Sequence, residues 1–176
     1  MFHPHYVSLK DGRAALIRSV EPGDADALIE HVNEIGAEQV YIMTEQLRMT
    51  ADEEREMIRK IDLRQTLFLV AFVDRKLVGS ANIERGRQLK NAHTASLGVA
   101  IRKPVRGLGL GKAILEDLIR WGKDQGIRKV TLGVFATNAS AITLYRQLGF
   151  SEEGRLRGQV ILGGVPVDEV LMARWL

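Results

Sequence analysis

Apolar residues recur at two different spacings along this 176-residue chain, and the switches between them predict a mixed α/β fold. Tyr6 to Leu9 and Arg13 to Val20 alternate as strands do, and Asp11-Gly12 between them is a short-hairpin dipeptide. A helix is expected from Pro22 or Asp24, with Ala25, Leu28, Val32 and Ile35 on one face and Gly36 as its stop. Thr50-x-x-Glu53 is a capping box, so a second helix should begin there and bury Met57, Ile58 and Ile61. Between the two helices, Ala37 to Met49 follows neither period.

Leu67 to Val73 is a continuous apolar run, the pattern of a strand covered on both faces, and Asp74-Arg75-Lys76 turns it into Leu77 to Glu84. Ala95, Leu97, Val99 and Ile101 alternate in the next strand, which stops at Pro104. From Lys112 to Gly126 the spacing becomes helical, with Ile114, Leu115, Leu118 and Ile119 on one side and Glu116, Asp117, Arg120 and Lys123 on the other. Lys129 to Phe135 is a fifth core strand, and Gly154 to Leu162 with Val167 to Arg174 forms a hairpin turning at Gly163-Gly164. With no repeat, linker or low-complexity stretch, residues 1–176 read as a single domain.

The chemistry concentrates at Arg106-Gly107-Leu108-Gly109-Leu110-Gly111-Lys112, which joins a strand to a helix with no acidic residue from Ile101 to Lys112. Alternating glycines allow positive φ and bring successive N–H groups against an anion, and the helix that follows adds its positive end. Two common phosphate motifs fail here. G-x-G-x-x-G needs glycine at 112 or 114, where Lys112 and Ile114 stand, and a Walker A loop needs glycine at 106 and a hydroxyl at 113, where Arg106 and Ala113 stand. The loop does fit R-x-x-G-x-G, and Asn138-Ala139-Ser140-Ala141-Ile142-Thr143-Leu144-Tyr145 leads downstream into Leu148-Gly149-Phe150. In both motifs the chain resembles the GNAT superfamily of acetyl-CoA-dependent N-acetyltransferases, closely over residues 66 to 150.

That resemblance implies a three-layer fold, with a mixed, mainly antiparallel sheet splayed beside the glycine loop and helices on both faces. It implies acetyl-CoA as co-substrate, no metal, and transfer of the acetyl group to a primary amine by direct attack in a ternary complex. By the same analogy, backbone N–H groups of Gly107, Leu108, Gly109, Leu110, Gly111 and Lys112 hold the pyrophosphate, with Arg106 and Lys112 adding charge. Val99, Ala100 and Ile101 pair with the pantetheine arm, Val99 N–H facing the thioester carbonyl. Asn138 lies on the pantetheine side, and the Tyr145 hydroxyl protonates the leaving thiolate. Asn138 also reads as a helix cap, and Tyr145 as an aromatic anchor spaced from Ile142 and Leu148.

The general base is not legible from the motifs. Deprotonating a lysine-like amine at pH 7 costs about 4.6 kcal/mol, whereas an α-amine costs ~1.4 kcal/mol. His93 to Ile101 carries no carboxylate, so Glu84, on the parity of Ser80 and Asn82, is the catalytic candidate, with His93 or a water chain as alternatives. The acceptor is expected to be a small amine of the amino-acid or polyamine type; the α-amine of a protein or peptide, as in ribosomal-protein acetyltransferases, is the alternative. A non-catalytic acyl-CoA-binding module is the rival outside enzymes.

Composition narrows the rest. Cys is absent, which removes disulfides, thiolate metal sites and an acyl-cysteine relay. The net charge of +3 and the lack of aromatics among the cations argue against a nucleic-acid partner, while Arg102, Lys103, Arg106 and Lys112 place positive charge on the glycine loop. No apolar run approaches a membrane span, so a cytoplasmic protein with no membrane partner is expected. A homodimer through the exposed C-terminal hairpin is the assembly left open.

Overall fold

The computed structural model describes residues 2–176. Strands β1 (His5–Ser8) and β2 (Ala14–Ser19) form the first hairpin; a 3-10 turn, Pro22–Asp24, leads into α1 (Ala25–Gly36), and α2 (Ala51–Arg59) follows. Then come β3 (Thr66–Val73), β4 (Lys76–Arg85), β5 (Thr94–Ile101), a 3-10 turn (Lys103–Val105), α3 (Leu110–Asp124), β6 (Lys129–Phe135), α4 (Ala139–Gln147), β7 (Ser151–Leu162) and β8 (Val165–Trp175). Among the described residues the strands form one eight-stranded sheet in the order β1-β2-β3-β4-β5-β6-β8-β7. Every pairing is antiparallel except β5 with β6. The expected three-layer α/β architecture is present.

The larger core lies on the face covered by α3 and α4. Ile114, Leu115 and Leu118 of α3 are fully buried against Leu69, Ala71, Ile83, Leu97, Val130 and Met172. The smaller core, Ala25, Leu28, Ile58, Val70 and Leu77, joins α1 and α2 to the other face. A strand between two such layers must be apolar on both sides, which is why β3 reads as an unbroken run. Arg18 on β2 clamps Asp24 through two hydrogen bonds of 2.7 and 2.6 Å, fixing the entry to α1.

Two expectations change. Ala25, Leu28 and Ile35 of α1 are buried as expected and Val32 packs half-buried against the smaller core, but the fully buried His31 joins this face as well. The Thr50–Glu53 capping box forms, but α2 turns Glu54 and Ile58 inward and leaves Met57 58% exposed, with Ile61 beyond the helix end. A helix oriented by i, i+4 burial of 54 and 58 carries 57 to solvent. α1 does end at Gly36, where the carbonyls of Thr44 and Glu45 lie at the place its Cβ would take. The loop from 37 to 50 is thus folded back on α1, and Asn33 Oδ1 accepts from Leu47 N at 2.6 Å.

Glu54 is 6% exposed, and burial raises its pKa above the ordinary carboxylate value. A carboxyl whose folded-state pKa lies above its unfolded one binds more protons when folded, so its cost to stability grows as pH rises through that interval. Glu54→Gln is expected to raise the melting temperature at pH 8, with the gain vanishing towards pH 4; a constant gain would show that charge burial is not its cause. Gly36→Ala is expected to lose about 1–3 kcal/mol in urea unfolding, because a methyl group must displace two backbone carbonyls. A loss under ~0.5 kcal/mol would mean the 44–45 backbone yields freely.

Candidate functional site

The site begins where strand pairing ends. β5 and β6 run parallel for only three pairs, Thr94 with Lys129, Ala95 with Val130 and Ser96 with Thr131. Beyond them β5 stays with β4 as far as Ile101 opposite Gly79, while β6 stays with β8 as far as Phe135 opposite Glu169. Leu97 to Ile101 and Leu132 to Phe135 therefore present unpaired edges to each other across a wedge about 16 Å deep. This is the splay expected beside the glycine loop, and Val99, Ala100 and Ile101 line it.

The glycine loop follows β5 at the open end. Gly107 and Gly109 have φ of 75° and 97°, a region that disfavours any side chain, and nothing occupies the space where their Cβ atoms would be. Gly109 caps α3, a helix of 15 residues with no acid in its first turn. Leu110 is buried, and Gly111 lies in that turn against Leu144 of α4. The first hairpin steadies the loop from outside: Lys10 N donates to Leu108 O at 3.1 Å, and Arg13 Nη2 donates to Pro104 O at 3.2 Å.

Charge is distributed differently from expectation. Arg102 is 2% exposed and turned into α1, where it pairs with Glu30 at 3.0 Å and with Glu34, and its Nε donates to His31 Nδ1 at 3.3 Å. Burial and then the neighbouring Arg102 charge push His31 down to about 4, so it is neutral and able to accept that bond. Arg106 donates to Glu38 at 2.7 and 2.5 Å and to Ile101 O at 2.7 Å, with its guanidinium 4.0 Å over the Tyr41 ring. Its hydrogen bonds hold the Glu38 carboxyl below the usual range. Arg102 and Arg106 are thus anchors to an acidic stripe at positions 30, 34 and 38, and the exposed cations beside the loop are Lys103 and Lys112. That stripe went unread because its spacing looks like an ordinary solvated helix face.

The second motif packs beside the loop. Asn138 caps α4, its side chain accepting from Ala141 N at 3.2 Å. Tyr145 is 6% exposed, meets Phe150 edge-on at 5.9 Å, and is pushed up to about 12 by burial, so its hydroxyl keeps its proton.

On the other face of the sheet, between α2 and strands β3 and β4, lies a cleft of about 480 Å³ bounded by Glu54, Ile58, Phe68, Asn82, Glu84 and Arg87, and Asn82 pairs with Gly98 at the start of the wedge. Glu84 stands opposite Ser96, below the level where the wedge opens, and accepts from Arg87 at 2.8 Å. His93 is exposed at the closed end, where its carbonyl accepts from Arg128 N and Lys129 N. Val99 lies six residues further along β5, about 20 Å away, so His93 is not brought to the site. Among the described residues no three His, Asp or Glu side chains are grouped to hold a metal ion, and no helix is long and apolar enough to cross a membrane.

Comparison with known proteins agrees with this geometry. The L-amino acid N-acetyltransferase AaaT of Escherichia coli (strain K12) is 28% identical over 164 residues, covering 90% of this chain and 96% of that protein. An acetyltransferase of the GNAT family from Streptococcus pneumoniae has a TM-score of 0.86 at 28% identity, covering 92% of this chain and 99% of that one. yncA from Salmonella typhimurium, solved with its cofactor acetyl-CoA, shares the fold with a TM-score of 0.80 at 22% identity over 91% of this chain and 92% of its own. The profile of the Acetyltransferase (GNAT) family matches residues 27–150, from α1 through the wedge and glycine loop to Phe150, and the chain belongs to that family.

Proposed function

We propose that this acetyltransferase moves the acetyl group of acetyl-CoA to the α-amine of a small amino-acid-type acceptor. The carrying observation is the wedge whose open end meets an acid-free, left-handed glycine loop at a helix N-terminus. Backbone N–H groups from Gly107 to Lys112 take the pyrophosphate, assisted by Lys103 and Lys112, and the pantetheine arm lies along the free edge of Val99 to Ile101 as an added strand. The N–H of Val99 polarises the thioester carbonyl. The amine nitrogen bonds to the carbonyl carbon and gives up one proton to a base on the acceptor side as the C–S bond breaks; the sulfur takes the Tyr145 hydroxyl proton, and the released amine proton, through solvent, restores Tyr145. Asn138 holds α4, and with it Tyr145, beside the first turn of α3.

The acceptor side supports a zwitterion. The cleft carries both signs of charge that a zwitterion presents, with Glu54 beside a Glu84–Arg87 ion pair that an incoming ammonium and carboxylate would have to open. AaaT is named for L-amino acids and is similar over nearly its whole length. An α-amine also reaches its neutral form at pH 7 at a cost of only about 1–1.5 kcal/mol.

An acetyl-CoA assay over L-amino acids, polyamines and N-terminal peptides is expected to show transfer to free amino acids first. Transfer confined to peptides would redirect the reading to protein N-termini, and tight CoA binding without any transfer would make the protein a binding module. Gly109→Asp is expected to weaken acetyl-CoA binding at least 100-fold by calorimetry, and Gly109→Asn, equally strained but uncharged, by less than ~10-fold. Equal losses would place the effect in the backbone rather than in an anion site.

A further inference from the structure

We propose that Glu169 of β8 is the carboxylate that removes the proton from the attacking amine, an assignment that rests on the acetyl-transfer reading above. β6 pairs with β8 so that Gly133 faces Leu171 and Phe135 faces Glu169. Val170 and Met172 point into the core beneath α3, so Glu169 and Leu171 point to the opposite face, the one that carries the cleft. There Glu169 leans over Gly133: the point where a Cβ would sit on that glycine is 2.9 Å from the Glu169 carboxylate carbon and overlaps Oε1. The missing side chain is the space the carboxylate fills.

Gly133 is the second residue of β6 beyond the last parallel pair, and continuing that register sets it across the wedge from Gly98. Both positions lack side chains, so at this level the wedge is walled by backbone, with the carboxylate above it and Val99 next along β5. Glu169 stands opposite Phe135 on β6 and Leu156 on β7, and among the described residues no hydrogen bond or ion pair engages its carboxylate. Its neighbours on the hairpin are all engaged: Glu152 by Arg155, Glu153 by Lys129, and Asp168 by Arg155 and Gly158 N. Glu84, the carboxylate expected from sequence, is held by Arg87 and lies at the level of Ser96, where the wedge is still closed.

The chemistry follows from the two faces. Tyr145 comes from the α3–α4 side and Glu169 from the other, so base and acid flank the carbonyl from opposite directions. As the N–C bond forms, the amine proton passes to a Glu169 oxygen, the C–S bond breaks, and sulfur takes the Tyr145 proton. Glu169 then releases its proton to solvent on that face of the sheet.

The test uses the full chain with acetyl-CoA and L-amino acids from pH 6 to 10. Glu169→Gln is expected to lower kcat/KM at least 100-fold at pH 7 while acetyl-CoA affinity stays within twofold, with the deficit shrinking above pH 9 as free amine becomes abundant. Glu169→Ala combined with Gly133→Asp, which offers a carboxylate from the neighbouring strand, is expected to recover at least 10-fold over Glu169→Ala alone. A Glu169→Gln enzyme within twofold of the parent, or a deficit that is constant with pH and unrescued, overturns the assignment. If the parent protein transfers to no amine, the acetyl-transfer reading fails and this assignment with it; if the parent is active and only the Glu169 result is absent, the reading stands without it.

Discussion

The decisive constraint is that β5 and β6 cannot remain paired. Each has a stronger commitment on its other side, β5 to seven residues of β4 and β6 to seven residues of β8, and the two ribbons diverge after three parallel pairs. Twist makes such divergence natural where a sheet is held from both ends. The consequence is two facing rows of peptide groups without strand partners. Leaving such groups dry costs about 1–3 kcal/mol each, so the wedge has to be wet or filled by something with amides of its own. A substrate that runs as an extended amide chain meets this need, and its carbonyl is then placed by the sheet rather than by flexible side chains.

The positive charge of the loop is managed in a way that sharpens this picture. Two of the four cations near it are neutralised by glutamates, Arg102 by Glu30 and Glu34 of α1 and Arg106 by Glu38 just after it, and Arg102 is almost entirely buried. Guanidinium groups suit this task because their planar fork meets two carboxylate oxygens at once, as Arg106 does with Glu38. The ion pairs fasten α1 and the loop that follows it to the end of β5. On the proposed function, phosphate recognition is left mainly to fixed backbone dipoles, which need no side-chain ordering when the ligand arrives.

Much of this was legible in the sequence because it depends on local pattern. The β3 run, the amphipathic α3, the Thr50–Glu53 capping box and the Asp11-Gly12 turn all appear where their residues demand. What escaped were burials that contradict polarity. His31 and Glu54 face inward, and a reading that sends polar residues to solvent leaves His31 off its face and gives the place of Glu54 to Met57. Arg102 and Arg106 escaped for a related reason: their partners lie about 70 residues away, and only tertiary contact shows that a cation in an anion-binding loop is already spent. Gly36 was visible as the end of a helix, but not as the point that admits the backbone of Thr44 and Glu45.

The sheet also separates the two halves of the proposed chemistry. On the α3–α4 face the surroundings of the wedge are apolar, and Tyr145 sits there in the main core with its proton held by burial. On the other face the cleft is lined by charged and polar groups, among them Glu54, Glu84 and Asn82. On the proposed function, a thioester threaded through the wedge has its leaving sulfur on the side of a dry donor and its carbonyl carbon open to the polar face that carries the cleft. Because the two sides differ in polarity, attack from the cleft is the route that avoids taking an amine through the hydrophobic core, and the direction of the reaction follows from which layer each helix covers.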